Sequence, residues 1–138
     1  MKEEVRQKLI DRVKRNPYVN HLQIEFTKVE DGIIEARMLL SEEQRQYSGV
    51  IHGGILAAVA DTVAGFAAYT LTPPEKDVLT AELNVLFLRA AWGKELIARA
   101  KVIKPGKTIH FSECEIFCDE KMVSKSSGTF CVVKKQVE

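Results

Sequence analysis

The segment Val50–Leu71, VIHGGILAAVADTVAGFAAYTL, constrains this chain more than any other. It is long, apolar and rich in alanine and glycine, and Asp61 is the only charged side chain between His52 and Glu75. Its length would let it cross a bilayer, but an acid at the middle of a membrane helix costs ~2.5–3.5 kcal/mol to insert. No cationic anchors flank it either. The segment therefore reads as a buried helix from about Gly54 to Thr70, stopped by Pro73-Pro74, which cannot continue a helix. With Ala57, Ala58, Ala60, Ala64, Gly65, Ala67 and Ala68 around its circumference, such a helix has to be enclosed. Thin side chains let a strongly curved sheet come close to its axis.

The remaining residues supply that sheet. Val5, Leu9, Ile10 and Val13 recur at helical spacing among charged residues and predict a short amphipathic helix ended by Asn16-Pro17. Leu22, Ile24 and Phe26, a turn at Glu30-Asp31-Gly32, and Ile33–Leu40 predict a β-hairpin. Residues 41–49 form a polar loop. After the long helix come four predicted strands, Val78–Arg89, Glu95–Lys104, Lys107–Cys118 and Met122–Val133, the last three joined by short turns as an antiparallel meander. The whole of 1–138 is expected to be one domain, because a chain of 138 residues supports one core and buries roughly 70% of its surface. The predicted class is α+β, a curved antiparallel sheet around a central helix; a helix lying on one side of a flat sheet is the alternative packing.

Composition excludes several functions. Twenty basic against nineteen acidic residues leave a net charge of +1, so no global field draws in nucleic acid or an anionic membrane. An anionic ligand must be caught locally. Cys114, Cys118 and Cys131 are too few for a disulfide scaffold and read as reduced, buried thiols of a cytoplasmic protein. Residues 1–17 lack the apolar run of an export signal. His21, His52 and His110 show no metal-ligand spacing, so neither a metal nor a redox cofactor is expected.

The chemistry concentrates in Gln46-Tyr47-Ser48-Gly49-Val50-Ile51-His52-Gly53-Gly54 and Asp61. Two glycines where a helix begins leave backbone N–H groups approachable, and a helix N-terminus carries about half a unit of positive charge, suited to a carbonyl oxygen becoming negative. A buried carboxylate needs a partner or a task. Gly53 and Asp61 are eight residues apart, ~12 Å along a helix, whereas an attacking group and an oxyanion donor must both lie ~3 Å from the reacting atoms. They meet only if two such helices lie antiparallel across a two-fold axis. A catalytic role therefore implies at least a dimer.

His52-Gly53-Gly54 followed by Asp61, with Thr80–Val85 in the next strand and Pro105-Gly106-Lys107-Thr108 at a later turn, resembles the hotdog-fold acyl-CoA thioesterases of the PaaI-like type. The similarity runs from the Asp31-Gly32 hairpin to Gly128-Thr129-Phe130. It implies a hotdog fold and hydrolysis of acyl-CoA, with coenzyme A entering only as part of the substrate. It implies Asp61 as general base or nucleophile and Gly53 as the amide donor supplied by the opposing subunit. Gln46 falls near the thioester, in a position where relatives carry Asn or Gln. His52 matches a positioning histidine, and Thr80 a residue that orients water. A homodimer, pairing further into a homotetramer, comes from the resemblance as well. Gly54, Arg89, Lys104 and Lys107 are candidates for contacts with the substrate and its coenzyme A phosphates. Val63, Phe66, Ala67 and Tyr69 are candidates for the acyl pocket.

Two other classes compete. A hotdog hydratase or dehydratase needs a histidine placed for proton transfer at an acyl carbon, and only His52 is near. A non-catalytic acyl-CoA-binding module has no need of Asp61.

Overall fold

The computed structural model describes residues 1–135. Two helices open the chain, α1 (Glu3–Arg15) and α2 (Pro17–Leu22), followed by strands β1 (Glu25–Glu30) and β2 (Ile33–Leu39). The long helix α3 (Gly53–Thr70) comes next, then β3 (Lys76–Phe87), β4 (Glu95–Lys104), β5 (Ile109–Cys118) and β6 (Lys121–Lys134). The predicted stop at Asn16-Pro17 is also a start. The Asn16 side chain accepts the N–H groups of Tyr18 and Val19, and Pro17 occupies the first turn, where its missing N–H costs nothing. Residue 22 therefore ends a helix, and the first strand begins only at Glu25.

All six strands form one antiparallel sheet in the order β1-β2-β4-β5-β6-β3. β4, β5 and β6 make the expected meander, but β3 pairs with β6 and becomes an edge. A run of small residues crosses the middle of the sheet's inner face, between the larger Ile34, Met38, Leu96 and Ile116. Ala36 lies opposite Ala98, Ala100 opposite Cys114, Cys114 opposite Ser126, and Ser112 opposite Gly128. All are buried, as are Ala60, Ala64, Ala67 and Ala68 of α3. Small groups on both surfaces let the sheet curl closely around the helix. The largest fully buried side chain is Phe130: Cβ atoms built at Gly65 of α3 and Gly128 of β6 would lie 3.4 and 2.7 Å from its ring. Thr70 fastens the end of α3 to the β1–β2 turn, donating to the Ala67 carbonyl (2.6 Å) and accepting the Gly32 N–H (2.7 Å).

Cys114 and Cys118 line the core as expected, whereas Cys131 is only half-buried. The α3 segment is long and apolar enough to span a membrane, but here it is wrapped by the sheet.

Candidate active site

The site is built where α3 meets the edge strand β3. Asp61 lies half-buried on α3. Thr80 Oγ1 of β3 donates a hydrogen bond to its Oδ1 at 2.7 Å. At the other end of this contact, the ring of Phe87 packs over Gly53; a Cβ there would sit 3.2 Å from Phe87 Cε1. Thr80 and Phe87 are an odd number of residues apart, so a regular strand would turn them to opposite faces. The register between β3 and β6 shifts between Thr80 and Glu82, placing a β-bulge at Ala81. The extra residue lets Val78 and Thr80 face α3 before it and Leu83, Val85 and Phe87 face α3 after it. Bulges re-aim side chains in this way beside active sites.

The start of α3 is equally defined. His52 precedes the helix in an extended conformation, and its Nδ1 accepts the Gly54 N–H at 2.8 Å. The His52 carbonyl takes the Ile55 N–H at 2.9 Å. Among the described residues the Gly53 N–H has no acceptor, so it is the amide left at the positive end of the helix. Gly54, expected to offer a donor of its own, is the one that His52 caps. The histidine thus fixes the backbone at the start of α3.

Gln46 is exposed and lines a crevice of about 310 Å³ together with Gly53, Phe87 and Arg89. Its loop is tightly held. The Gln46 N–H donates to Val50 O (2.7 Å), the Gly49 N–H to Gln46 O (2.8 Å), and Gly49 adopts φ +93°. Arg45 clamps this loop to the next one, donating to the carbonyls of Gly49 and Gly93, both at 3.0 Å. Asp61 and Thr80 border a separate cavity of about 230 Å³, walled by Phe66, Tyr69 and Val78. Within one chain, then, Gln46 and Gly53 sit together while Asp61 and Thr80 sit apart from them.

These features meet the comparison with known proteins. Residues 48–125, more than half of the chain, match the family model described as the thioesterase superfamily. The chain belongs to the thioesterase superfamily. It is 30% identical over 106 residues to the proofreading thioesterase EntH of Klebsiella pneumoniae, covering 77% of each chain. A thioesterase family protein from Silicibacter pomeroyi has the same fold with a TM-score of 0.90 at 30% identity, covering 95% of this chain and 99% of that one. A phenylacetic acid degradation-related protein from Ralstonia eutropha superposes with a TM-score of 0.85 at 22% identity, covering 92% and 98%, and shares the fold. The hotdog architecture and the family resemblance read from the sequence are both borne out, and thioester hydrolysis is the chemistry that the superfamily match supports.

For this thioesterase-superfamily chain the remaining candidates divide. Arg89 belongs to the Gly53 crevice. Lys104 and Lys107 flank the β4–β5 turn, at the sheet end where Ile109 pairs with Cys131, whereas Phe87 pairs with Ser124 at the opposite end. The three do not form one cationic rim within a protomer. Of the acyl-pocket candidates, Phe66 and Tyr69 line the cavity beside Asp61, but Val63 and Ala67 are wholly buried in the core. No cluster of three or more His, Cys, Asp or Glu side chains suited to a metal occurs among the described residues.

Sequence reasoning missed five contributors. Arg12, Asn16 and Tyr18 of the N-terminal helices reach the cavity beside Asp61. Asp77 holds Arg12 there, with Nη2 to Oδ1 at 2.5 Å. Burial pushes the Asp77 carboxyl up, but the hydrogen bonds from Arg12 and the Val78 amide and the Arg12 charge outweigh it and hold it below its ordinary value. Arg45 was an undistinguished member of a polar loop. Its signal is the carbonyl-rich Trp92-Gly93 loop, visible only in space.

Proposed function

We propose that the protein hydrolyses acyl-CoA thioesters as a homodimer whose β3 edges pair antiparallel. The carrying observation is that the Thr80–Asp61 pair and the free Gly53 amide lie at opposite ends of the same contact between α3 and an unpaired edge strand. Along that edge Leu79, Leu86 and Phe87 are each more than half exposed. A two-fold axis midway between Thr80 and Phe87, near Leu83-Asn84, carries Gly53 of the partner subunit to Asp61, and completes two equivalent sites at once.

In each site the Gly53 N–H of the partner subunit donates a hydrogen bond to the thioester oxygen and stabilises the negative charge developing there. Gln46 of the partner subunit lies beside the same carbonyl. Asp61 acts either as base toward water or as nucleophile, forming an anhydride that water then opens. Thr80 fixes its orientation. Either route ends with the carbon–sulfur bond broken, the electron pair on the departing thiolate and the acyl group as free acid. The axis also brings Arg89 of the partner subunit to the Val78 end of β3, the end of the sheet that carries Lys104 and Lys107. A phosphate rim therefore forms between subunits. A homotetramer, by resemblance, and a cytoplasmic location, from the reduced cysteines, remain part of this proposal.

The hydratase reading is weaker, since His52 already uses Nδ1 to cap α3. A binding module would give no turnover. The deciding experiment measures thiol release from a panel of acyl-CoAs by wild type and Asp61→Asn. Hydrolysis in the wild type and a fall of about 10³-fold in kcat in the folded variant are expected. Tight binding without turnover in both proteins would overturn the reading.

A further inference from the structure

The cavity beside Asp61 opens at its far side into a cleft of about 570 Å³, and Arg12, Asn16, Tyr69 and Asp77 border both. Helix α1, outside the stretch matched by the superfamily model, lines that cleft with Lys8, Arg12 and Arg15. Their spacing stacks the three cations on one face of the helix, and Lys135 completes the border. Against these four, the described residues of the border hold two carboxylates, Asp11 and Asp77. Both are engaged. Asp77 Oδ1 takes Arg12 Nη2 and the Val78 N–H, and Asp11 receives the Gln7 amide at 3.0 Å. The cleft is therefore basic.

Two donors stand where the cavity meets it. The Arg12 guanidinium, held by Asp77, lies over the Tyr69 ring, 4.5 Å from the centroid. Asn16 Oδ1 is committed to the N–H groups of Tyr18 and Val19, both at 3.1 Å, as the cap of α2. Its Nδ2 is thus the end left for a ligand. An anion at this point meets hydrogen-bond donors from Arg12 and Asn16 and the field of Lys8, Arg15 and Lys135.

We propose that Arg12 and Asn16 select acyl groups that end in a carboxylate, so that the substrate is the mono-thioester of a dicarboxylic acid. This deepens the reading of the site as an acyl-CoA thioesterase and rests on it for the identity of the ligand. Asp77, which positions Arg12, is three residues from Thr80 along β3, about 10 Å in an extended strand. A medium-length chain spans that distance from the thioester at Asp61 to the two donors. Phe66, Tyr69 and Val78 cover its methylene body. A methyl terminus bonds to neither donor and displaces their water. The same apolar walls turn away the pantetheine arm of coenzyme A, whose amides would be left unpaired there.

The test compares octanoyl-CoA, suberyl-CoA and the terminal amide of suberyl-CoA as substrates, with the non-hydrolysable thioether analogue of each measured for binding by calorimetry. In the wild type suberyl should exceed octanoyl in kcat/KM and in affinity by about 10- to 100-fold, the worth of hydrogen bonds to charged groups. It should exceed its own amide, the neutral isostere, by about tenfold at low salt, a margin that shrinks as salt screens the cleft. Arg12→Leu/Asp77→Leu removes the pair without stranding a charge, and should lower the suberyl-to-octanoyl ratio about tenfold. Asn16→Asp keeps the oxygen that caps α2 and exchanges the donor for a negative charge. It should lower the same ratio at least as far. Equal affinity of the wild type for the suberyl and octanoyl analogues overturns the proposal, as does a ratio that neither variant lowers. A loss shared equally by all three analogues and by coenzyme A itself would assign the cleft to phosphates and overturn it too. If no thioester is cleaved, the thioesterase reading falls, while the ratio of analogue affinities still decides the role of Arg12 and Asn16.

Discussion

Replacing Gly53 by proline removes the amide hydrogen from the proposed site and adds ring carbons that the start of a helix tolerates. Gly53 is the first residue of α3, where a proline's fixed φ is already helical and its missing N–H breaks no helical bond. His52 sits at φ −61° and ψ 134°, the extended conformation required of a residue before proline. The added carbons meet the Phe87 ring, with the first contact at 3.2 Å, but that ring is more than half exposed and can yield. Gly53→Ala brings the same Cβ and keeps the amide, so it controls for crowding of the Phe87 ring by that carbon. Loss of one oxyanion donor costs about 10²–10³ in kcat, or ~3–4 kcal/mol. Gly53→Pro should show that loss in a thiol-release assay while its thermal midpoint stays near that of Gly53→Ala, which should retain most of the activity. Mixing Gly53→Pro with Asp61→Ala subunits then tests the shared site. A mixed dimer has one site with both groups intact, so random reassembly should restore about one quarter of wild-type activity. Nearly full activity in Gly53→Pro, or none in verified mixed dimers, would refute the reasoning.

Other consequences follow from burial. His110 is 2% exposed, and burial pushes its imidazole below the ordinary value, so the folded state holds it neutral. The unfolded chain takes up the proton below about pH 6.5, so its share of stability is lost as the pH falls through that range; urea midpoints at pH 7.5 and 5.5 should diverge less in His110→Gln than in wild type. Burial raises the Cys114 thiol to about 12 and moves Cys118 upward too. A disulfide reagent at pH 8 should therefore modify half-buried Cys131 first and reach Cys114 only on unfolding, as peptide mass mapping would show. Gly128→Ala places a methyl 2.7 Å from the Phe130 ring; overpacking of this kind costs ~1–3 kcal/mol, measurable by chemical denaturation.

Much of this was legible in the sequence because it is local. Alternating strands, the Asp31-Gly32 turn and the enclosed Ala-rich helix each follow from residues a few positions apart. The Gly53–Asp61 separation implies a second chain if both groups serve one reaction, since helix geometry is fixed. What could not be read depends on pairing across long separations. Nothing in β3 announces that its partner is β6 rather than β4. Arg12 and Asp77 are 65 residues apart, and only the packing of α1 beside α3 joins them. Val63 and Ala67 differ from Phe66 and Tyr69 in which way the helix turns them, and with apolar groups all round that helix periodicity carries no contrast. Arg45 serves backbone carbonyls, which have no side-chain signature.

The surplus residue at Ala81 has a wider meaning. It splits one edge into two half-strands set out of phase, so the pair at Asp61 and the packing at Gly53 can each be tuned by substitution without reversing the other. Deleting that one residue would rotate Leu83, Val85 and Phe87 outward in a single step and present a differently textured border to any second copy. The smallest possible change in length would thus exchange one set of border side chains for another.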